Sequence, residues 1–356
     1  MRDKFITFGE IMLRISPYNK GKRIFQESNF RIEPGGSESN VAVSLSNLGC
    51  NVKYITSLPD NHLKHIILRY LRQYGIDTGG IVFSGNKLGM YWTENGVSVR
   101  PSKVVYDREN SSFFNSKYED YNLKDIFKDG KWLHTSGINA ALNKSLSEIM
   151  IKILNKAKSE GLTNSLDLNY RSSLWNWVKE KLEIHEVYKK LCKHVDLIIG
   201  NETDFHDCLG IGNNTKKVRS QDINNINIST YGNIVDETFS KFSDLKYIAI
   251  NLRGSISASE NKWQGILAER SSVKIRMFES KEYYITDIVD RVGAGDSFSA
   301  GIIFGLNKYP DEYQKIVDFA TAFSCLKHTI MGDACEFFED DVIHLINSKG
   351  SGRIQR

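Results

Sequence analysis

The order of strand-like and helical segments constrains the fold of this chain more than any other feature. Short apolar runs rich in Ile, Val, Tyr and Leu, such as 52–58, 195–200 and 245–252, predict buried β-strands. Segments with apolar residues at helical spacing, such as 63–74 and 145–160, lie between such runs. Strands that alternate with helices form a parallel sheet with right-handed crossovers. The sequence therefore predicts an α/β fold built on a mostly parallel sheet.

The alternation breaks where polar and apolar residues follow one another with strand periodicity. Segments 88–94 and 97–100 predict a hairpin, and 103–108 predicts a further antiparallel strand. The polar stretch 16–34 holds shorter pieces of the same kind, around 24–25 and 30–32. We expect these segments to pair in one small β-sheet, a lid that covers the functional site. The predicted domains are a β lid, 16–35 and 86–111, and the α/β domain that carries it, 1–15, 36–85 and 112–356.

Five further segments carry local predictions. They are a first strand at 5–15, an Asn- and Ser-rich surface insertion at 211–235, an antiparallel edge strand at 263–268, and closing helices at 311–330 and 339–348. The polar tail 349–356 predicts a frayed end.

The composition excludes several classes of protein. A formal net charge of +4 on 356 residues is near balance and gives no reason to expect nucleic acid or an acidic membrane as a partner. No apolar run reaches the ~20 residues of a membrane span, and no signal peptide precedes the first strand. Five scattered cysteines without a Cys-x-x-Cys pair are typical of reduced thiols. We expect a soluble, cytoplasmic protein.

The turn 293–296, with the sequence Gly-Ala-Gly-Asp, is the strongest candidate for a chemical role. A predicted strand at 285–289 leads into it, and a predicted helix continues from 297. Such a turn presents free N–H groups and the positive end of the helix dipole, which together bind phosphate. Beside a bound phosphoryl group, the Asp296 carboxylate would accept a proton from an attacking hydroxyl. A tight turn without function is the alternative, because the string is neither a P-loop nor a dinucleotide fingerprint.

The string around this turn resembles the C-terminal signature of the ribokinase-like (PfkB) carbohydrate kinases, Asp-Thr-Thr-Gly-Ala-Gly-Asp-x-Phe-x-Ala-Gly. Asp290 and Phe298 match the signature on either side of the turn, whereas Arg291 and Val292 replace the two threonines. The resemblance implies a ribokinase-like three-layer α/β/α sandwich with a mostly parallel central sheet and a small β-sheet lid.

A second string, far from the first, resembles the N-terminal motif of the same family, Gly-Gly-x-x-x-Asn-x-Ala. It contains Gly35, Gly36 and Asn40. Two glycines would let backbone N–H groups approach the hydroxyl groups of a substrate without a Cβ in the way. A plain helix N-cap is the alternative for this string alone.

The resemblance also implies a nucleotide and metal site. The string that contains Asn201 and Asp204 resembles the Asn-x-x-Glu motif, which orients magnesium and its waters, and Asp204 is one methylene shorter than the expected Glu. Helix capping by Asn201 is the alternative. Arg253 and Gly254 correspond to the place of the nucleotide phosphates and ribose, and Ala322 lies on the helix that the family uses beside adenine.

One position near the N-terminus indicates which kind of substrate accepts the phosphoryl group. Ribokinases and fructokinases carry an Asp that grips the sugar where this chain has Arg14, and a cation suits an acceptor that carries an anion. Strings along nearly the whole chain resemble the 2-keto-3-deoxygluconate kinases, also called 2-dehydro-3-deoxygluconokinases. They lie at 9–14, 58–61, 88–91, 100–108, 167–171 and 326–333.

This closer resemblance implies that Gly36, Tyr91, Tyr106, Arg108 and Arg171 contact a sugar acid. Two guanidinium groups and two phenols suit a carboxylate and a keto oxygen. For each residue alone, a half-buried strand position or a solvated surface charge is the alternative.

The sequence therefore predicts an ATP- and Mg²⁺-dependent kinase that phosphorylates the 6-hydroxyl group of 2-keto-3-deoxygluconate. Asp296 would act as the base, and the N–H groups of Gly293, Ala294 and Gly295 would stabilise the transferred phosphoryl group. The alternatives are a kinase of the same fold for 2-keto-3-deoxygalactonate, fructose or a nucleoside, and a non-catalytic sugar-acid sensor. A requirement for a monovalent cation is left open. We expect a homodimer or a higher homo-oligomer that pairs through the lid.

Overall fold

Residues 3–212, 228–271 and 274–348 are described by the computed structural model of this chain. The strands, in chain order, are β1 Lys4–Phe8, β2 Met12–Pro17, β3 Phe30–Gly35, β4 Val52–Ile55, β5 Ser57–Leu58, β6 Val82–Phe83, β7 Met90–Glu94, β8 Lys103–Asp107, β9 Gly130–Ser136, β10 Thr163–Asp167, β11 Leu197–Gly200, β12 Tyr247–Ser255, β13 Asn261–Arg270, β14 Ile275–Glu279 and β15 Tyr283–Ile285.

The α-helices alternate with the strands of the main sheet. In chain order they are α1 Ser37–Asn47, α2 Lys64–Gln73, α3 Leu123–Phe127, α4 Gly137–Leu142, α5 Lys144–Ser159, α6 Lys181–Cys192, α7 Glu202–Leu209, α8 Ile228–Lys241, α9 Ala294–Lys308, α10 Tyr313–Lys327 and α11 Glu339–Ser348. Within the described ranges, no helix is long and apolar enough to cross a membrane.

The main sheet of the described residues has the strand order β14-β13-β12-β11-β10-β9-β1-β4, and β15 pairs with β13. The strands from β12 to β4 run parallel, whereas β13, β14 and β15 join in antiparallel pairs. One core lies on each face of the sheet: α5 to α8 supply the first, and α1, α2, α9 and α10 supply the second. The predicted three-layer sandwich with a mostly parallel central sheet is confirmed.

A second sheet of the described residues has the order β3-β2-β7-β8. It contains the predicted antiparallel strands β7 and β8, so the prediction of a small additional β-sheet is also confirmed. The predicted hairpin is wrong in its second strand, because 97–100 forms a turn between β7 and β8 that is closed by a single bridge from Val97 to Arg100. The two strands β5 and β6 form a separate parallel pair. The division of the chain into two domains stays a prediction.

The predicted first strand at 5–15 is wrong, because the chain forms β1 in the main sheet and β2 in the small one. The break falls at Gly9, whose carbonyl accepts a hydrogen bond from Tyr54. A Cβ at Gly9 would lie 2.1 Å from a carboxylate oxygen of Glu38, so the backbone passes this buried side chain too closely for any other residue. Both strands are buried, so the hydrophobic pattern carried no sign of the break.

Other boundaries differ from the sequence predictions for local reasons. The strand before the glycine turn ends at Ile285, and the following loop is held by a 2.8 Å hydrogen bond from the Val289 N–H to the His328 carbonyl. The predicted edge at 263–268 is antiparallel but lies inside the sheet, because β14 covers it. The expected strand piece around 24–25 is a 3₁₀-helix, Ile24–Gln26.

The two closing helices are confirmed as α10 and α11. Of the predicted insertion 211–235, residues 213–227 lie outside the described residues, and 228–235 belong to α8. The predicted frayed tail, 349–356, also lies outside them.

Candidate active site

A cleft of about 710 Å³ opens at the carboxyl ends of the central strands, between the small sheet and the start of α9. This is the edge at which parallel α/β sheets bind their ligands. Most of the predicted site residues line it, namely Gly36, Asn40, Tyr91, Tyr106, Arg108, Arg171, Asn201, Asp204, Arg253, Gly293, Ala294, Gly295 and Asp296. The structure thus brings the two glycine motifs and the predicted sugar-acid residues together.

Three predicted residues do not line this cleft. Gly35 lies behind its wall, where a Cβ would come within 2.3 Å of the Tyr91 hydroxyl group. Gly254 is an internal residue of β12. Ala322 is fully buried in the core on α10, so its side chain is not available to a nucleotide. Helical spacing identified the α10 helix, but among the residues that line the cleft only His328, directly after this helix, comes from the predicted segment 311–330.

Asp296 lies in the first turn of α9, and 9% of its surface is exposed. Its Oδ1 accepts a hydrogen bond from the Ser37 hydroxyl at 2.7 Å, and its Oδ2 accepts one from the Asn40 amide at 2.7 Å. Both donors come from the first turn of α1, so two helix N-termini converge on one carboxylate. Burial raises the pKa of Asp296 above its usual value, and the hydrogen bonds from Asn40 and Ser37 oppose that rise.

The backbone of the glycine turn is fixed by its surroundings. Gly293 caps α9 with φ +81°, and a Cβ there would lie 1.7 Å from the Asp333 carbonyl oxygen. Only glycine fits this position. The Ala294 N–H is directed to the Arg291 carbonyl at 3.4 Å. The N–H groups of Gly293 and Gly295 donate to no other described residue, so they are the groups that remain for an anion.

The buried acid Glu38 lies close to Asp296. Its Oε1 accepts hydrogen bonds from the Ser136 N–H and the Asn139 amide, both at 2.8 Å. Burial is the main reason that the pKa of Glu38 is raised to about 7, and the negative charge of Asp296 adds to the rise. Within the described residues, no cation forms a salt bridge with Glu38.

The predicted sugar-acid residues on the small sheet are held by acidic side chains. The Arg108 Nε donates to Glu10 Oε2 at 2.8 Å, and Arg108 is 5% exposed. The Tyr91 hydroxyl donates to Asp333, and burial raises the pKa of Tyr91 well above its usual value. The rings of Tyr91 and Tyr106 lie 5.8 Å apart. These side chains form one polar wall of the cleft.

The interpretation of Arg14 as a cation facing the acceptor is wrong. Arg14 is 1% exposed and does not line the cleft. Its Nη2 lies 2.5 Å from Asp290, and its Nη1 contacts Asp333. Its charge is therefore neutralised by the protein, and it ties β2 of the small sheet to the loop before the glycine turn and to the loop after α10.

Two arginines across the cleft from the small sheet donate hydrogen bonds to backbone carbonyl groups and not to carboxylates of the described residues. Arg171 donates to the Tyr170 carbonyl at 2.8 Å, and Arg291 donates to the carbonyls of Ser257 and Ala258 at 3.0 and 2.8 Å. Together with Arg253, they form no salt bridge with any residue of the described ranges. This part of the cleft can accept a ligand with several negative charges.

The residues at the start of α7 fit a bound magnesium ion. Asn201 accepts hydrogen bonds from the N–H groups of Thr203 and Asp204, so the predicted capping alternative is present. Each Asp204 oxygen accepts one backbone N–H, at 3.1 Å, and keeps a free lone pair, and Glu202 lines the cleft beside it. The described residues hold no cluster of three or more His, Cys, Asp or Glu side chains suited to a metal. Mg²⁺ typically takes one or two carboxylates, several waters and substrate phosphates.

Besides Glu38 and Glu202, sequence reasoning missed three acidic residues of the cleft. Glu10 and Asp333 bind the predicted substrate residues, and Asp167 lies at the end of β10, where burial and then Asp204 raise its pKa well above the usual value. Each of them stands in a string that resembles the sugar-acid kinases. Their position directly after a glycine, for Glu10 and Asp333, or at the end of a strand, for Asp167, was the available signal.

Comparisons with known proteins agree with this geometry. The profile described as pfkB family carbohydrate kinase matches residues 2–229, which include the Gly35-Gly36 motif and end before Asp296. A 2-dehydro-3-deoxygalactonokinase from Haloferax volcanii is 27% identical over 352 residues, which is 99% of each chain.

Two solved structures extend the comparison. The crystal structure of a 2-dehydro-3-deoxygluconokinase from Thermotoga maritima has a TM-score of 0.87 and 39% identity, and the match covers 98% of this chain and 99% of the other. A putative ribokinase II from Escherichia coli, solved in complex with ATP and Mg²⁺, has a TM-score of 0.72 and 18% identity over 97% and 99% of the two chains. At that identity the second structure supports the fold alone.

Proposed function

Because this chain belongs to the pfkB family of carbohydrate kinases, we propose that it transfers the γ-phosphoryl group of ATP to the 6-hydroxyl group of 2-keto-3-deoxygluconate. One observation carries the proposal. The buried Asp296 carboxylate, at the N-terminus of α9, lines the same open cleft as Tyr91, Tyr106, Arg108 and Arg171. A base and a set of donors for a sugar acid therefore face one shared space.

The proposed chemistry needs a base, side chains that hold this base in a fixed orientation, and a site for the anionic phosphoryl group. Asp296 accepts the proton of the attacking hydroxyl group, and its raised pKa brings it closer to the pH at which a base works best. Ser37 and Asn40 hold its two oxygens in a fixed direction. The N–H groups of Gly293 and Gly295 stabilise the charge on the transferred oxygens.

ATP and Mg²⁺ occupy the other end of the cleft in this proposal. Magnesium, held near Asp204 and Glu202, would neutralise charge between the phosphates. Arg253 and Arg291 line the same region, and their guanidinium groups, which form no salt bridge within the described residues, attract a polyanion. The small sheet covers the sugar side and excludes water, which limits wasteful hydrolysis of ATP.

The acceptor is the finer part of the proposal. Similar proteins carry names for the gluconate form and for the galactonate form of the sugar acid. The two phenols and two guanidinium groups bind a carboxylate next to a keto group, which both sugar acids contain. The 39% identity to a gluconate enzyme over nearly the full chain favours 2-keto-3-deoxygluconate.

A coupled assay of ADP release tests this proposal. We expect turnover with 2-keto-3-deoxygluconate, weaker turnover with 2-keto-3-deoxygalactonate, and little with fructose or a nucleoside. Phosphorus-coupled NMR of the product should locate the new ester at carbon 6. If fructose or a nucleoside is the best substrate, the sugar-acid assignment is wrong; if no panel member releases ADP while titration calorimetry detects sugar-acid binding, a sensor replaces the enzyme.

We also propose a homodimer that pairs through the small sheet. Its edge strand β8 is exposed at all five residues, and Val104 and Val105 are 41% and 60% exposed. An exposed strand edge pairs readily with a second copy. Light scattering should give at least twice the mass of the 40.6 kDa chain, and a monomer would contradict the pairing. The five free cysteines and the need for ATP support the cytoplasm as the compartment.

A further inference from the structure

A lysine that the proposed chemistry does not use lies behind the glycine turn. Lys327, the last residue of α10, has no exposed surface. Burial lowers the pKa of Lys327, while the negative charges of Asp290 and Asp333 oppose the change. A buried ammonium group is costly, so its partners should reveal what it does there.

The partners are backbone carbonyl groups from two separate loops. The Nζ atom of Lys327 donates to the Asp290 carbonyl at 3.3 Å and to the Ile330 carbonyl at 3.4 Å. Asp290 begins the loop that leads into Gly293, and Ile330 lies in the loop after α10. The described residues provide no carboxylate within salt-bridge distance of Nζ, because both nearby carboxylates are bound to Arg14.

A simple helix-end role does not explain this arrangement. A lysine in the last turn of a helix normally stays in solvent and interacts with the carbonyls of its own helix. Lys327 is instead sealed inside, and one of its acceptors, the Asp290 carbonyl, lies 37 residues away in the chain. The same two loops are also joined by the hydrogen bond from the Val289 N–H to the His328 carbonyl. The ammonium group thus lies at a junction of the two loops.

Carbonyl oxygens around one buried positive charge are the ligands that proteins offer to a dehydrated monovalent cation. We propose that Lys327 is a tethered monovalent cation, which holds the Asp290 and Ile330 carbonyls together and thereby fixes the turn that presents Gly293 and Gly295. Lys327 is a positioning residue, since its ammonium group does not line the cleft. The enzyme therefore needs no added potassium. The catalytic consequence rests on the proposed kinase function, but the structural role does not.

Two substitutions separate the effect of the Lys327 ammonium charge from the effect of its side-chain volume. Lys327→Ala removes the ammonium group and leaves space for an ion, whereas Lys327→Met fills the space without charge. Thermal unfolding is measured in potassium, ammonium or tetramethylammonium chloride at equal ionic strength. We expect potassium or ammonium to raise the melting temperature of Lys327→Ala by about 2–4 °C over tetramethylammonium. Lys327→Met and the unchanged protein should respond equally to all three salts.

Turnover adds a second readout. In tetramethylammonium, the Lys327→Ala enzyme should lose ~10–100-fold in kcat, because a shifted turn misplaces the reacting groups, with the KM for the sugar acid unchanged. Ammonium should restore at least tenfold. The proposal is overturned if the melting temperature of Lys327→Ala is the same in all salts, or if the unchanged enzyme loses tenfold or more in tetramethylammonium.

The unchanged protein keeps the idea testable if neither variant folds. Its turnover in potassium and in tetramethylammonium should then agree within twofold, and a strong dependence on potassium would overturn the proposal. The melting experiment needs no substrate. A failure of the kinase assignment therefore cannot be mistaken for a failure of the tethered cation.

Discussion

The two ends of the cleft hold their positive charges in different ways. At the small sheet, Arg108 is bound to Glu10, and Arg14 is bound to Asp290 and Asp333. At the opposite end, Arg253 and Arg291 line the cleft and form no salt bridge within the described residues. Arg171, the second guanidinium group proposed for the sugar acid, also lines the cleft without such a salt bridge. One end is neutralised by the protein, and the other is left positive.

Under the proposed function, this difference assigns a ligand to each end of the cleft. A guanidinium group that already has a carboxylate partner offers fixed hydrogen-bond donors but little net charge, which suits a sugar acid with one negative charge. Guanidinium groups without such partners favour a ligand that brings several negative charges, such as a nucleoside triphosphate. Asp296 lines the same cleft, next to the turn that would hold the transferred phosphoryl group.

Asp296→Asn should have the largest effect on catalysis. The amide keeps the shape of the side chain but cannot take the proton, so we expect kcat to fall by ~10²–10⁴, with both ends of the cleft still able to bind. The measurement is steady-state ADP release together with the melting temperature. Asp340→Asn, an exposed change on α11, serves as the control and should retain full turnover. Full activity in Asp296→Asn would remove the base from the mechanism.

Glu38→Gln tests how much stability is lost by burying a carboxylate that no cation of the described residues pairs with. The pKa of Glu38 is about 7 in the folded protein against 4.5 when exposed, so between these values the folded state holds a proton that the unfolded state has lost. Stability therefore falls as the pH rises through this window. Glutamine escapes that loss, and at pH 8 we expect its free energy of unfolding to exceed that of the unchanged protein by up to about 3 kcal/mol.

Urea denaturation at pH 5 and at pH 8 measures this effect. At pH 5 the difference should be below about 1 kcal/mol, because most Glu38 side chains are then protonated in the folded state. Glu148→Gln, an exposed change on α5, should show no such dependence on pH. A constant difference between pH 5 and pH 8 would mean that Glu38 has a hidden partner for its charge.

Arg108→Ala and Arg171→Ala compare the two kinds of cation directly. Each should weaken binding of the sugar acid by about 2 kcal/mol, or ~30-fold in KM, since each removes a charge-assisted hydrogen bond. The loss at Arg108 has a second cause, because Glu10 is left buried, unpaired and facing the substrate carboxylate. An unchanged KM in both variants would disprove the carboxylate assignment.

A double variant separates the two causes. In Arg108→Ala/Glu10→Gln the unpaired negative charge of Glu10 is removed, so the KM for the sugar acid should be lower than in Arg108→Ala alone. The same Glu10→Gln change combined with Arg171→Ala should bring no recovery, because Glu10 does not pair with Arg171. Equal behaviour of the two double variants would remove the distinction between the guanidinium group that is paired with a carboxylate and the one that is not.

The sequence predicted those parts of the molecule that depend on local order. Alternating strands and helices indicated the parallel sheet, and the string around Asp296 indicated a carboxylate at a helix start, since a turn and its helix are neighbours in the chain. The antiparallel strands β7 and β8 followed from the same kind of local pattern, but the sequence did not indicate that they pair with each other. These features need no knowledge of distant contacts.

The features that escaped prediction depend on contacts between distant segments. Arg14 was interpreted as a ligand for the acceptor, yet its partners lie 276 and 319 residues further along the chain. Whether a charged side chain faces a ligand or another part of the protein is decided only when those segments pack. The same applies to Ala322, whose helix was identified correctly but whose buried face was not.

Arg253→Ala should have the smallest effect and tests the positive end of the cleft. One exposed cation near a polyanion contributes about 1 kcal/mol, so KM for ATP should rise about fivefold while KM for the sugar acid stays unchanged. Because exposed charges are screened, the effect should shrink as salt rises from 0.05 to 0.5 M. Arg69→Ala, an exposed change on α2 outside the cleft, is the matched control. A larger effect on the sugar acid than on ATP would reverse the assignment of the two ends.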